Sequence, residues 1–597
     1  MKTNRLFIMA LAVAAAVSCA KEGDVPSAPS MTASAFTAEK ENFEVASKAV
    51  LDGRKSKWEA GDEIAVHADG AAAVKFSTAV EGEVVEFTSE TAVTGSSFLL
   101  AYPYSAAKGV QDGKLLLTIP AEQVAVTGSF DPAAAISAAA SADLTQPVKF
   151  KNALALLKIN VPSDLDKKVI KITVEAKGGE SLAGDILFDV ATKANTLTAN
   201  GKAAVSLLAA PPMAAGNYYL AVRPCDVPSG VKVTVLLGDK SYYTRESGAC
   251  EFDVNTIYNM GIIGTTGWNV TKYQYAVSTV SGTGTLGGNA DGGPETATWN
   301  NPDGICFAPD GNLLVINRNA NAIRKLTTDT YVATTLYTNS TTLYAPWLGN
   351  FASDGKFYFA SKGNGKIFHF DIDTKALTEV TSGFTSPMDV AFDASGNMHI
   401  VERDKGGNVW IYSGKDVATK RKLATIQGAL AIDFDKAGNA IVTSNTTKIY
   451  KVSADGTTEV IAGSSSGNTV GTPGMPLTAK FASLYDVEVA PDGSLVIVDS
   501  DSNDVIKLLV PDAYGTYKHA YITTIVGSTE GYADGIGVNA KIKNPYSICV
   551  SDDGMTMYIS DLNNRIRKVD VSLVTESCDV NGDHQDYAGT NSMTTIF

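Results

Sequence analysis

Few side chains of this 597-residue chain are of a type and spacing that does chemistry. The five histidines, His67, His369, His399, His519 and His584, are scattered. Only His369 and His399 fall on predicted strands of a repeat, at different positions within it, so a shared metal is not expected. There is no GxSxG nucleophile elbow and no GxxxxGKS/T phosphate loop. A more informative set combines the cations Arg318, Lys362 and Arg403 with the aromatics Trp347, Tyr485 and Tyr546 and the acids Asp499, Asp501 and Asp561. Aromatic faces stack on apolar faces of a ligand while flanking charges hydrogen-bond its polar atoms, so this set suits a glycan or short peptide. Asp389 and Asp486 add two acids that could hold calcium in a channel, the one cofactor with any support.

These residues are tied together by a repeat. Tight-turn glycines stand at Gly311, Gly355, Gly396, Gly438, Gly493 and Gly554, at intervals of 44, 41, 42, 55 and 61 residues. Each follows Asp or a small residue, as hairpin turns with positive φ require. Eight residues before each glycine stand Asp303, Trp347, Met388, Leu430, Tyr485 and Tyr546; seven after stand Arg318, Lys362, Arg403, Asn445, Ser500 and Asp561. Strands run into and out of each turn, so both columns belong to one rim, with Asp389 and Asp486 one position deeper. Third strands are readable at 322–326, 366–370 and 565–569, and a fourth at 521–527. Four strands in about 42 residues make a propeller blade. The last blade lacks a fourth strand after Val569, whereas 275–282 copies the segment at 521–527, so this upstream strand is expected to complete a sixth blade. Trp347, after Pro346 in a predicted rim loop, is expected to be replaceable by Ala with the melting temperature nearly unchanged. The charged columns fit a second role equally well, bracing neighbouring blades.

The wording Asn301-Pro302-Asp303-Gly304-Ile305, Asn319-Ala320-Asn321-Ala322-Ile323-Arg324 and Asp561-Leu562-Asn563-Asn564-Arg565-Ile566-Arg567 is similar to NHL repeats, over 275–570. The second and fourth blades lack the Asn-x-x-Arg signature. Some NHL-like propellers are enzymes, so the resemblance keeps a lyase or lactonase as an alternative. Upstream, Trp58-Glu59-Ala60-Gly61-Asp62-Glu63-Ile64, Tyr102-Pro103-Tyr104, Gly128-Ser129-Phe130-Asp131-Pro132, Phe150-Lys151-Asn152 and Asn255-Thr256-Ile257-Tyr258-Asn259 resemble the fimbrillin-like domain of surface lipoproteins and pilus subunits. That resemblance implies two β-sandwich halves and a spacer or adhesion role. The predicted class is all-β.

Lys2 and Arg5 precede an apolar run from Leu6 to Val17, too short to span a bilayer and suited to a signal peptide. Ala16-Val17-Ser18-Cys19 resembles a bacterial lipobox, which implies lipidation at Cys19. Lys21-Glu22-Gly23-Asp24 resembles an acidic tag for export to the outer face of the outer membrane. The expected organisation is signal peptide 1–18, lipidated tether 19–35, sandwich halves 36–155 and 156–262, linker 263–274, and propeller with C-terminal tail 275–597. Cys225 and Cys250 are candidates for a disulfide. Asp579-Val580-Asn581-Gly582-Asp583 opens like a calcium loop, but His584 and Thr590 stand where that loop needs Gly and an acid. A net charge of −15 argues against a nucleic-acid partner. The combined expectation is a monomeric outer-membrane lipoprotein that binds an extracellular glycan or protein, with a pilus-associated structural role as an alternative.

Overall fold

The computed structural model describes residues 30–45, 57–404, 406–412, 419–501 and 504–578. Cys19, the leader and the 579–590 loop lie outside them. The described residues are all-β, and among them helical structure is limited to three-residue 3-10 turns. Among the described residues no helix is long and apolar enough to cross a membrane.

The first strands close into a seven-stranded barrel in the order Met31–Lys40, Val148–Asn152, Ser137–Ser141, Phe98–Tyr102, Glu63–Ala68, Val74–Ser77 and Val84–Gly95. Trp58 fills it, edge-on to Phe87, Tyr102 and Phe150, and its indole N–H donates to the Ala38 carbonyl at 2.9 Å. The Tyr102 hydroxyl donates to Asp62 at 2.8 Å, and the Lys40 ammonium lies 4.0 Å from the Trp58 ring centroid. The Asn152 amide donates to Asn255 at 2.7 Å. Four of the five motifs resembling the fimbrillin-like domain therefore meet in two adjoining contacts.

Two expected boundaries differ. Ala107–Gln111, Lys114–Ile119 and Glu122–Val124, assigned to the first half, pair in sheets with strands from 183–213, so 155/156 is not a border between sheets. The first half is also a closed barrel, where two packed sheets were expected. At the start of the chain, the 19–35 tether overlaps the strand Met31–Lys40.

Beyond the N-terminal part come five four-stranded antiparallel sheets, numbered I to V here, beginning at Pro302, Pro346, Pro387, Ala429 and Ser483. A sixth set, VI, contains Ser547–Val550, Thr556–Asp561 and Arg565–Ser577, with Asn269–Ser281 beside the last. The first strands of neighbouring sets contact one another, and set VI meets sheet I again. All six turn glycines have positive φ, between 71° and 88°, which a side chain would oppose. Asn269–Ser281 and Arg565–Ser577, thirteen residues each, pair along most of their length, and the beginning of the former also pairs with Tyr242–Glu246. The stretch 263–274, expected as a linker, thus contains half of a strand that joins the sheet of set VI to the N-terminal sheet.

Candidate functional site

The column eight residues before each turn converges where the first strands begin. Trp347, Met388 and Leu430 share one buried cluster, with Tyr485 and Tyr546 packed against it. The ring of Trp347 lies 5.7 Å from Tyr546 and 6.4 Å from Tyr485, and the two tyrosines are 4.3 Å apart. Trp347 is not in a rim loop. It is the second residue of Pro346–Phe351 and only 4% exposed, so it forms the floor of the mouth. A large apolar ring placed where first strands converge is driven inward by burial.

Cations cover this floor. The Arg318 guanidinium and the Lys362 ammonium each lie 4.6 Å from the Trp347 centroid, and Arg318 is also 5.5 Å from Tyr546. Arg318 pairs with the fully buried Asp303, which loss of hydration pushes up to about 8 despite Arg318 and Lys362. Lys362 is lowered, first by desolvation and then by Arg403 and Arg318 nearby. Arg403 is half-buried and pairs with Asp404 at 3.2 Å. Tyr344, 61% exposed, stands against Gly363, where a Cβ would come within 2.3 Å of its ring. No repeat offset marks Tyr344, because its loop lies outside the columns.

The expected acidic half of the mouth is reduced. Asp499 and Asp561 are buried and pair with Lys507 at 2.7 Å and Arg567 at 2.9 Å. Both cations reach into the long loop before their sheet: Lys507 donates to the Lys480 carbonyl, and Arg567 to the carbonyls of Lys541 and Ala533 and to Asp534. Arg324 does the same with Thr298, Ala290 and Asp291. The Asn-x-x-Arg signature is therefore a brace. Asp501 remains exposed and accepts from the Tyr485 hydroxyl at 3.1 Å.

Beneath the floor, Asp389 accepts from the N–H of Val390 at 2.7 Å and, across to sheet IV, of Ile432 at 3.0 Å. Asp486 accepts from Val487 at 2.8 Å and, across to set VI, from Ile548 at 3.0 Å. Asp433 repeats the device between sheets IV and V, accepting from Phe434 and Val489, each at 2.7 Å. These carboxyls staple neighbouring first strands. Loss of hydration raises Asp389 well above the usual carboxylate range, Asp486 to about 7 and Asp433 to about 6. Asp433 and Glu488 were missed by the sequence reading. The column five residues before each glycine, Cys306, Asn350, Ala391, Asp433, Glu488 and Cys549, would have found them. Asp389, Asp486, Glu488, Asn350 and Cys306 line a cavity of about 20 Å³, room for one water. Among the described residues no three His, Cys, Asp or Glu side chains are grouped to hold a metal.

Cys225 and Cys250 are free thiols, raised chiefly by burial. They lie on paired strands but diagonally, Cys225 opposite Phe252 and Cys250 opposite Val227, a separation of about 7 Å or more that disfavours a bridge.

No family model matches the chain, and no curated protein matches it. Among solved structures, a Bacteroides thetaiotaomicron protein of unknown function is similar at 18% identity and a TM-score of 0.44, covering 77% of this chain and 99% of its own. An auxiliary nutrient binding protein from Bacteroides ovatus is similar at 17% identity and a TM-score of 0.43, covering 67% of this chain and 91% of its own. A catalytically inactive virginiamycin B lyase from Staphylococcus aureus, solved with quinupristin, is similar at 14% identity and a TM-score of 0.35, covering 50% of this chain and 99% of its own.

Proposed function

We propose that this chain is an outer-membrane lipoprotein, anchored through Cys19, that captures an extracellular glycan at the mouth of a six-bladed, NHL-type propeller. In this reading the six four-stranded sets are the blades, Asn269–Ser281 closes the ring, and a fimbrillin-like base raises it from the membrane. The observation that carries the binding role is the aromatic floor of Trp347, Tyr485 and Tyr546 with Arg318 and Lys362 above it. A stacked ring with charged neighbours is how proteins hold a sugar face and its hydroxyls together. Arg318, Lys362, Arg403, Tyr485 and Tyr546 would contact the ligand, Trp347 would support it from below, and Asp389 and Asp486 would hold the first strands in place.

A glycan array probed with the full chain, followed by calorimetric titration of the best saccharide, tests this. Tyr546→Ala is expected to weaken binding about ten-fold or more, within the range of a lost stacking contact and hydrogen bond. An array without saccharide hits refutes the glycan reading. Protease shaving of intact cells tests the address: loss of the chain from unbroken cells supports surface exposure, and full protection refutes it.

A further inference from the structure

The charge around the floor is unbalanced. Arg318, Lys362 and Arg403 stand on the contiguous sheets I, II and III, close enough that Lys362 is depressed by both arginines. Against them stand Asp303, fully buried beneath Arg318, and Asp404, which Arg403 engages. The Lys362 ammonium makes no hydrogen bond or ion pair within 4 Å among the described residues; it lies over the Trp347 ring, with Asp303 and Asp404 acting on it only from a distance. Holding three cations around two acids, both directly engaged by the arginines, costs energy. An arriving anion relieves that cost, most where water is already partly excluded. The chain as a whole carries −15, so this concentration of positive charge is not a by-product of composition. Across the ring, on sheet V, Asp501 accepts from Tyr485 and would repel an anion placed there.

We infer that the ligand is an acidic saccharide, whose carboxylate or sulfate sits on the arc of Arg318, Lys362 and Arg403 while its hydroxyl-bearing end points toward Asp501. The inference rests on the glycan reading above and adds both charge and orientation to it.

The test uses the full chain on an array carrying uronate, sulfated and neutral oligosaccharides together with acidic peptides, and titration of the strongest binder. Preferential capture of uronate or sulfated saccharides supports the inference, and the arm that wins identifies the anion. Lys362→Met and Arg403→Gln should each weaken that capture about ten-fold, as for a lost charge-assisted hydrogen bond. Raising the salt should weaken it further. The same variants should weaken capture of neutral saccharides less than that of acidic ones, and unchanged melting temperatures would show that they fold. Neutral saccharides bound as tightly as acidic ones would overturn the charge inference and leave the glycan reading standing. Capture of acidic peptides alone would overturn the glycan reading, and with it the saccharide assigned here. No capture on any arm overturns both.

Discussion

Replacing Trp347 by Ala separates a floor residue from a rim residue. The side chain is 4% exposed and packs on Tyr485 and Tyr546 in the cluster with Met388 and Leu430. Truncating a buried Trp to Ala costs about 3–5 kcal/mol. Losing the cation–π contacts of Arg318 and Lys362 adds about 0.5–1 kcal/mol each at these half-buried sites. A total near 5 kcal/mol, set against an unfolding entropy of about 2.1 cal/mol/K per residue over roughly 300 residues, lowers the melting temperature by about 8 °C. Differential scanning calorimetry measures it directly. Trp347→Phe, which keeps an aromatic floor, should recover more than half of the loss. Lys362→Met, which removes no hydrogen bond, should stay within about 2 °C of the parent, because partly exposed pairs of this kind are worth little. A Trp347→Ala protein melting within about 2 °C of the parent would refute the floor assignment and return the residue to the rim.

The channel carboxyls make stability depend on pH. Asp389, Asp433 and Asp486 have native values raised above the unfolded one, so their contribution is fully present below about pH 4; for Asp433 and Asp486 it is lost as pH rises through about 6 to 7, and Asp389 acts in the same direction. Buried His399 is depressed by desolvation and acts in the opposite sense as pH falls below the ordinary imidazole value, so the diagnostic is a difference: Asp486→Asn should narrow the gap in melting temperature between pH 5 and pH 8, and an unchanged gap counts against a raised Asp486 carboxyl. Arg567→Met, leaving Asp561 buried without its partner, should cost about 3–5 kcal/mol in urea unfolding; a cost below about 1 kcal/mol would show that the brace is dispensable. Alkylation of the unreduced, unfolded protein should label both Cys225 and Cys250, and a peptide linking them would contradict their diagonal register.

The sequence made the repeat legible because each turn glycine must take positive φ, so its spacing survives whatever the neighbouring strands contain. Fixed offsets from those glycines then brought Trp347, Tyr485 and Tyr546 together correctly. Depth was harder to read. Asp499 and Asp561 have the same sequence character as an exposed rim acid; they are buried because Lys507 and Arg567, eight and six residues later, meet them inside. Trp347 looked like a loop residue because Pro346 precedes it, yet Pro346 opens the strand, where its missing N–H leaves no ladder bond unmade. The barrel was out of reach for a different reason. Local alternation identifies its strands, but the parallel pairing of Met31–Lys40 with Val148–Asn152 joins segments about 110 residues apart, and nothing local specifies it.

The strand Asn269–Ser281 should decide whether the ring can exist alone. It pairs with Arg565–Ser577 from Asn269↔Ser577 to Ser281↔Ile566, and Tyr275 and Val277 are buried in the core shared by sheet V and set VI. A chain starting at residue 282 would leave 566–570 with one unpaired edge, 571–577 with both edges unpaired, and that core open. Long unpaired edges recruit further strands, so such a chain is expected to aggregate. A chain starting at residue 269 keeps the pairing and the apolar cover, losing the three-residue pairing to Tyr242–Glu246 and peripheral contacts such as the Lys240–Asp492 ion pair, and is expected to be monodisperse. Size-exclusion chromatography with light scattering compares the two at equal concentration. Monodisperse behaviour of the shorter chain would mean that the ring closes without its upstream strand, and the assignment of Asn269–Ser281 as the closing element would fail.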